Sequence, residues 1–244
     1  MTEHARRLRE LHRPGDPLLL PNVWDAASAA TVQEAGFPAL ATASAAVSAM
    51  LGYPDNEGAP AAEMFAAAAR VIHAASVPVT VDAEAGYGLQ PAELVERLLA
   101  IGAAGCNLED TYAGELAAPE TQAEFLAAVR DAAGDALVIN ARADTFLHGL
   151  PDPVEAAIAR GRLYLEAGAD CVYPITAPAD ALPALVKGLP GPVNANNFPG
   201  TSLPELARAG VARVSYGPRP FRHSLEALRT FAVRVRAGED PYAV

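Results

Sequence analysis

The sequence predicts an α/β protein folded as a single (β/α)8 TIM barrel that spans residues 1–244. Short apolar runs alternate with Ala- and Leu-rich helical segments eight times, and this alternation specifies a parallel sheet. No G-x-G-x-x-G fingerprint follows the first run, which argues against an open dinucleotide-binding sheet. A length of 244 residues is typical of one barrel.

Each predicted strand is short, and a helical segment follows it. The strands are expected near residues 18–23, 39–46, 78–84, 104–109, 137–144, 170–175, 192–196 and 213–217. Four strands are preceded by a glycine that is expected to end a helix, namely Gly36, Gly102, Gly168 and Gly210. One helix start is marked by Asp152 as the N-cap, followed by Pro153 and Glu155. No linker interrupts this pattern, so we expect one domain.

Composition and charge exclude several classes of protein. Hydrophobic residues make up 51% of the chain, which is enough to form a large core. The formal net charge is -11, which argues against nucleic-acid and membrane-surface partners. Residues 35–54 carry no charge, but their small residues and two prolines favour buried barrel structure over a membrane span.

The N-terminus and the cysteines indicate the compartment. Residues 1–10 are charged throughout and lack the apolar segment of a signal peptide. Cys106 and Cys171 lie in separate apolar runs and form no zinc-binding spacing. We therefore expect a cytoplasmic protein with two buried free thiols.

Acidic and amide side chains concentrate where three predicted strands end. In the third strand, alternation places Val79 and Val81 towards the helices and Thr80, Asp82 and Glu84 towards the barrel interior. The same alternation directs five polar side chains of the next two strands inward, Asn107, Glu109, Asn140, Arg142 and Asp144. Asp55 follows the second strand. Because barrel enzymes carry their active sites at these strand ends, we expect the side chains to meet at the barrel mouth.

These carboxylates outnumber the fixed positive charge beside them. Burying several of them around Arg142 alone is costly, so a bound divalent cation is the simplest solution. All its ligands would be oxygens, which favours Mg²⁺ or Mn²⁺ over Zn²⁺. The alternative is that these acids are solvated loop charges or pair with arginines elsewhere.

Five segments resemble one known family. They are residues 20–26 (LPNVWDA), 51–55 (LGYPD), 81–88 (VDAEAGYG), 107–110 (NLED) and 140–144 (NARAD). In this order, over nearly the whole chain, they are similar to the isocitrate lyase/phosphoenolpyruvate mutase superfamily. The resemblance implies a (β/α)8 barrel that binds Mg²⁺ and a 2-oxo acid or its enolate, and that makes or breaks C–C or P–C bonds.

The resemblance also implies roles for individual residues. Asp82 would bind the metal directly, while Asp55, Glu84 and Glu109 would hold metal-bound waters. Arg142 would bind a carboxylate or phosphoryl group of the substrate. The backbone near Ala43, Ser44 and Ala45 would hold the carboxylate of the oxo acid.

Three departures from the family pattern bear on the reaction. The lyases of this family carry a catalytic cysteine among basic residues after the fourth strand, but residues 111–120 contain no Cys, Lys or His. The mutases use a Lys and an Asn on that loop and a His after the sixth strand, where this chain reads YPIT at 173–176. Glu84 replaces the more usual Asp. Cleavage of isocitrate or methylisocitrate by the usual route is therefore not expected, and neither is the usual mutase chemistry.

Other residues are weaker candidates. Tyr87 is placed among the catalytic candidates, with Asp55 and Arg142, because it has a proton to donate to an enolate, with packing as the alternative. Trp24 and Asn194 are candidate substrate contacts, with core packing or turn formation as the alternative. Further polar candidates near the mouth are His148, Asn196 and Asn197. Residues 223–236 form a predicted amphipathic surface helix, which favours a homo-oligomer, a dimer or tetramer.

These observations predict a Mg²⁺-dependent lyase-like enzyme. It would cleave or form a C–C bond of a small 2-oxo or 2-hydroxy carboxylic acid, with the metal stabilising the enolate. One alternative is an oxaloacetate-type decarboxylase or hydrolase, or a phosphonate mutase or hydrolase. Another is a non-catalytic barrel that binds an oxo acid.

Overall fold

The computed structural model describes residues 2–242 and contains eleven β-strands. In chain order they are β1 (Leu18–Leu20), β2 (Asn22–Val23), β3 (Leu40–Thr42), β4 (Val79–Asp82), β5 (Gly105–Glu109), β6 (Thr111–Tyr112), β7 (Glu115–Leu116), β8 (Val138–Ala143), β9 (Cys171–Pro174), β10 (Asn194–Asn196) and β11 (Arg213–Ser215). Strands β6 and β7 form a separate antiparallel hairpin. The other nine pair only in parallel.

The parallel strands form a closed ring. Strands β1 and β2 are two halves of the first predicted strand, separated at Pro21, which has no N–H to donate to a neighbouring strand. β1 pairs with β11, and β2 pairs with β3. On the far side, the Val172 N–H donates to Pro192 O at 2.9 Å, and a bridge from Val172 to Val193 joins β9 to the segment entering β10. All eight predicted strands are therefore present, and the barrel fold is confirmed.

Within residues 2–242, ten helices accompany these strands. They are α1 (Glu3–Glu10), α2 (Ala26–Glu34), α3 (Ser44–Leu51), α4 (Ala61–Ala74), α5 (Pro91–Ala100), α6 (Pro119–Ala133), α7 (Pro153–Glu166), α8 (Leu182–Gly188), α9 (Leu203–Arg208) and α10 (Arg219–Ala237). Most of them separate consecutive barrel strands, which is the arrangement that parallel pairing requires. No helix among residues 2–242 combines the length and the apolar character needed to cross a bilayer.

The glycines predicted to end helices do so. Gly36, Gly102, Gly168 and Gly210 follow α2, α5, α7 and α9, with φ angles of 91°, 83°, 98° and 85°. A left-handed conformation of this kind carries no steric cost at glycine. The helix start at Pro153 is also correct, but the side chain of Asp152 makes no capping hydrogen bond.

The predicted alternation of side chains is confirmed in β4 and β5. Val81, Cys106 and Leu108 pack in the main hydrophobic cluster with residues of α5 and α6. Asp82, Asn107 and Glu109 point the other way and line a cavity inside the barrel. Both cysteines are buried and free, as predicted.

One strand boundary was wrong. The second strand was expected over residues 39–46, but β3 ends at Thr42 and α3 begins at Ser44. The Asp82 carboxylate accepts a hydrogen bond from the Ser44 N–H at 2.8 Å. It thereby satisfies an amide at the helix N-terminus that no partner within the helix can satisfy. The helix starts where a distant side chain can cap it, so the local sequence did not indicate the boundary.

Candidate active site

A cavity of about 420 Å³ lies at the carboxyl ends of the parallel strands. Every barrel strand except β1 and β10 contributes a side chain to it or leads into a residue that lines it. The cavity brings together most of the site residues predicted from the sequence, which are Ala43, Ser44, Ala45, Asp55, Asp82, Glu84, Glu109 and Arg142. This is the position at which barrel enzymes hold their substrates.

Four carboxyl groups line this cavity. Burial raises the pKa of Asp55 above its ordinary value, and the neighbouring Asp82 raises it further. Burial likewise raises the pKa of Glu84 to about 7, and it raises that of Glu109, although the Arg142 guanidinium opposes the rise for Glu109. Negative charges that are desolvated and held near each other favour the proton-bound forms, and a bound cation would relieve the same strain.

The donor set fits a hard divalent cation, because all four side chains offer oxygen and no cysteine or histidine is among them. Within residues 2–242, no three His, Cys, Asp or Glu side chains form a group arranged to hold a metal ion. That finding is compatible with one direct protein ligand and with further carboxylates that act through water, which is the arrangement the resemblance implies.

Two of these carboxylates are oriented by backbone groups. Asp82 accepts from Ser44 N at the start of α3. Glu84 accepts from the N–H of Glu57, and the Glu57 carboxylate in turn accepts from the N–H of Tyr87 at 2.5 Å. Glu57, Glu84 and Tyr87 have φ angles of 57°, 49° and 57°, in the left-handed region. Such conformations cost energy at non-glycine residues and are concentrated at functional sites.

Arg142 is held between two carboxylates. Its Nε donates to Asp144 Oδ1 at 2.6 Å and its Nη2 to Asp144 Oδ2 at 2.8 Å, while Nη1 forms an ion pair with Glu109. Burial opposes the charge on this guanidinium, but Asp144 and Glu109 raise its pKa above the ordinary value. Asp144 also accepts a hydrogen bond from Thr111 Oγ1 at 2.6 Å. Arg142 therefore stays charged and fixed in position.

The segment that follows β5 is a tight hairpin. Strands β6 and β7 are joined at Ala113 and Gly114, whose φ angles of 48° and 84° suit a two-residue turn. The Tyr112 hydroxyl donates to Gln122 Oε1 at 2.7 Å, and burial raises its pKa to about 12. No residue of this hairpin lines the cavity.

Comparison with known proteins shows the family. The model of the phosphoenolpyruvate phosphomutase family matches residues 8–236. The chain belongs to the isocitrate lyase/phosphoenolpyruvate mutase superfamily. A 2-methylisocitrate lyase of Aeropyrum pernix is 30% identical to it over 245 residues, which cover 91% of this chain and 77% of that one. The prediction of an enzyme in this lyase and mutase class is thereby confirmed.

Other proteins are similar to this chain along almost its whole length. An uncharacterized protein of Mycobacterium tuberculosis strain H37Rv is 35% identical over 240 residues, which cover 96% of this chain and 92% of that one. A protein of Burkholderia cenocepacia J2315 with a known crystal structure is 41% identical in sequence to this chain. The TM-score is 0.88 over 96% of this chain and all of that one. An oxaloacetate acetylhydrolase, solved in complex with oxalate, is 26% identical to this chain. The TM-score is 0.85 over 96% of this chain and 86% of that one.

Three residues that were predicted to belong to the site do not line the cavity, namely Trp24, Tyr87 and Asn194. Trp24 packs edge-to-face on Phe221, with ring centroids 5.2 Å apart. Tyr87 packs on Phe65 at 5.8 Å, and burial together with Glu84 raises its pKa well above the ordinary value. Asn194 is fully buried, and its Nδ2 donates to Ser215 Oγ at 3.1 Å.

The remaining weak candidates form contacts with other groups of the protein. Asn196 Oδ1 accepts from Thr176 N at 3.0 Å, and Asn197 Nδ2 donates to Thr201 O at 3.0 Å. His148 is exposed, and its Nε2 lies 3.0 Å from Thr111 Oγ1.

Sequence reasoning missed six polar residues of the cavity lining, Asn22, Asn56, Tyr173, Thr176, Ser215 and Arg222. Tyr173 and Ser215 lie at the inward positions of β9 and β11, so the alternation used for the other strands would have found them. Arg222 belongs to α10, and no local pattern indicates that this helix begins beside the barrel mouth.

Proposed function

We propose that this chain is a Mg²⁺-dependent lyase that acts on a small 2-oxo or 2-hydroxy carboxylic acid. The observation that carries the proposal is the set of four carboxyl groups around a cavity of about 420 Å³, in a chain of this superfamily. A cavity of this size suits a small acid.

The site residues that were predicted from the sequence and that line the cavity each have a role in this proposal. Asp82 would hold the metal directly, and Asp55, Glu84 and Glu109 would hold it through water. Bound Mg²⁺ would supply a Lewis acid for the substrate carboxylate and the adjacent oxygen. The backbone of residues 43–45 would receive the substrate carboxylate at the start of α3, where helix amides favour anions. Arg142 keeps Glu109 and Asp144 in place and would attract the negative charge of the departing fragment.

Calorimetry tests the metal site. Wild-type protein is expected to bind Mg²⁺ saturably, more tightly with oxalate present, and Asp82→Ala should abolish binding. Asp16→Ala is a matched control, because Asp16 lies outside this cavity. Undiminished binding in Asp82→Ala would refute the metal assignment.

Hydrolysis or decarboxylation of an oxaloacetate-like acid is the second candidate. It is favoured by the hairpin after β5, which offers no cysteine, and by the similarity to an oxaloacetate acetylhydrolase. A turnover assay with a panel of 2-oxo and 2-hydroxy acids separates the reactions. Binding of Mg²⁺ and oxalate without turnover of any acid would instead support a non-catalytic oxo-acid-binding barrel.

We also propose that α10 joins copies of this chain into a homo-oligomer. Each of the other nine described helices buries at least one residue, but α10 buries none across its 19 residues. Its exposed apolar side chains include Leu225, Leu228, Val233 and Val235. The helix has five arginines and one glutamate, whereas the chain as a whole has a net charge of -11, so α10 is complementary in charge to a second copy.

Light scattering tests this interface. Leu228→Asp should convert an oligomer to monomers, because it places a charge among the apolar residues of α10. Leu203→Asp is the control, since Leu203 is also exposed but lies on α9. A wild-type monomer at micromolar concentration, or an oligomer unaffected by Leu228→Asp, would refute the proposal.

A further inference from the structure

Asn107 lines the cavity from β5, yet neither the metal nor the substrate assignment above uses it. Only 6% of its surface is exposed, so the side chain is almost fully enclosed. Its strand neighbour in register is Asp82, the proposed metal ligand. Asn107 therefore lies on the floor of the cavity, beside the position at which a metal-bound substrate would sit.

Contacts within the barrel fix which way the Asn107 amide points. Its Oδ1 accepts a hydrogen bond from Arg213 Nη2 at 3.1 Å and another from Asn140 Nδ2 at 2.8 Å. A guanidinium can only donate, so the atom that faces Arg213 must be the oxygen. The amide nitrogen consequently points away from Arg213. Within residues 2–242, Nδ2 donates no hydrogen bond to another protein group, and it is not one of the enclosed polar atoms left without a partner.

Arg213 is an unusual partner for an amide. It is fully buried, and none of the ion pairs among the described residues includes it. Its Nε also donates to Ser215 Oγ at 3.4 Å, and Ser215 is hydrogen bonded to Asn194. A buried positive charge beside the amide oxygen polarises the amide and strengthens its N–H groups as donors.

We propose that Asn107 Nδ2 donates a hydrogen bond to the substrate oxygen that gains negative charge during the reaction. Arg213 is its positioning residue, since it holds the amide in the orientation that presents Nδ2 to the cavity. This inference rests on the proposed function and adds a protein donor to it. A fixed donor of this kind stabilises developing charge without reorganisation.

The primary test measures oxalate binding in the presence of Mg²⁺. Asn107→Asp keeps an oxygen towards Arg213 and Asn140 but replaces the donor with an acceptor. We expect oxalate affinity to fall by about tenfold to a hundredfold, the range of one hydrogen bond to a charged group, while the melting temperature is maintained. Gln90→Glu is the charge-matched control, because it makes the same amide-to-carboxylate change at an exposed position outside the cavity, and it should change the affinity by about threefold at most.

A neutral variant and a double-mutant cycle complete the test. Asn107→Ala removes the donor without adding charge and should also weaken oxalate binding by about tenfold or more. Arg213→Met should weaken it in the wild-type background but cause no further loss in the Asn107→Ala background, because Arg213 acts through Asn107. A purely structural role for Arg213 would give the same loss in both backgrounds.

The outcomes separate the two proposals. Wild-type protein that binds no oxalate with Mg²⁺ refutes the proposed function, and the role of Asn107 with it. Wild-type binding that survives equally in Asn107→Asp and Gln90→Glu refutes only the role of Asn107.

Discussion

Replacing Arg142 with lysine tests the group that holds the carboxylates of the site. Lysine keeps the positive charge but offers a single ammonium group instead of a planar fork. In the structure the fork makes two hydrogen bonds to Asp144, at 2.6 Å and 2.8 Å, and an ion pair with Glu109. An ammonium at this position can retain one of these contacts.

The size of the effect follows from the burial of Asp144. Its side chain is fully enclosed, so water cannot replace a lost partner. Loss of one or two hydrogen bonds to charged groups, at about 1.5–3 kcal/mol each, is offset in part by the bond from Thr111 Oγ1. Arg142→Lys should therefore lower the free energy of unfolding by about 2–4 kcal/mol. For a chain of this size the melting temperature should fall by about 5–15 °C.

Denaturant unfolding at neutral pH measures this loss, with Arg97→Lys as the matched control. Arg97 donates to Glu93 at 2.6 Å on an exposed helix face, with 40% of its side chain accessible, so its replacement should cost about 0.5 kcal/mol or less. Equal stability of wild type and Arg142→Lys would refute the reasoning. If the same guanidinium binds substrate, Arg142→Lys should also weaken the binding of oxaloacetate. The expected loss of binding free energy is about 1.5–3 kcal/mol, the range of one hydrogen bond to a charged group, measured under conditions in which both proteins are folded.

Three more predictions concern the reaction, the buried histidine and the thiols. No glyoxylate should form from isocitrate, because residues 111–120 have no cysteine or basic group. A turnover number of about 1 per second would show that another residue replaces them. Burial, aided by Arg213, lowers the pKa of His12 from 6.5 to about 4, so the unfolded chain binds this proton at higher pH than the folded one. The free energy of unfolding therefore decreases as the pH falls from 6.5 towards about 4. Between about pH 7 and about pH 4.5, denaturant titrations should show that wild type loses about 2 kcal/mol more of this free energy than His12→Asn. Burial raises the pKa of Cys106 and of Cys171 to about 12, so the native protein should not react with a thiol reagent that labels both residues after unfolding.

The barrel itself could be predicted from the sequence because its signals are local. A strand alternates with a period of two residues, and glycines in the left-handed conformation end helices at fixed positions before the strands. These rules placed Gly36 and Gly168 at helix ends and turned Asp82 and Glu109 towards the interior, and the structure confirms each placement.

The family resemblance was also readable from short segments. It identified the strand ends that line the cavity, and it identified the missing cysteine after β5. Trp24 shows where this kind of inference fails. It follows the first strand as expected, but the nearby Phe221 of α10 packs against its ring, and the side chain does not line the cavity.

Only the tertiary structure decided how the polar groups of the site are paired. Asp82 caps α3 across 38 residues, and Arg213 orients Asn107 across 106 residues. Hydrogen-bond direction depends on which donor lies closest in space, and the sequence around Asn107 contains no record of Arg213. Local patterns thus determined which side chains enter the barrel. Closure of the ring determined which of them meet, because it brings the first and last strands side by side.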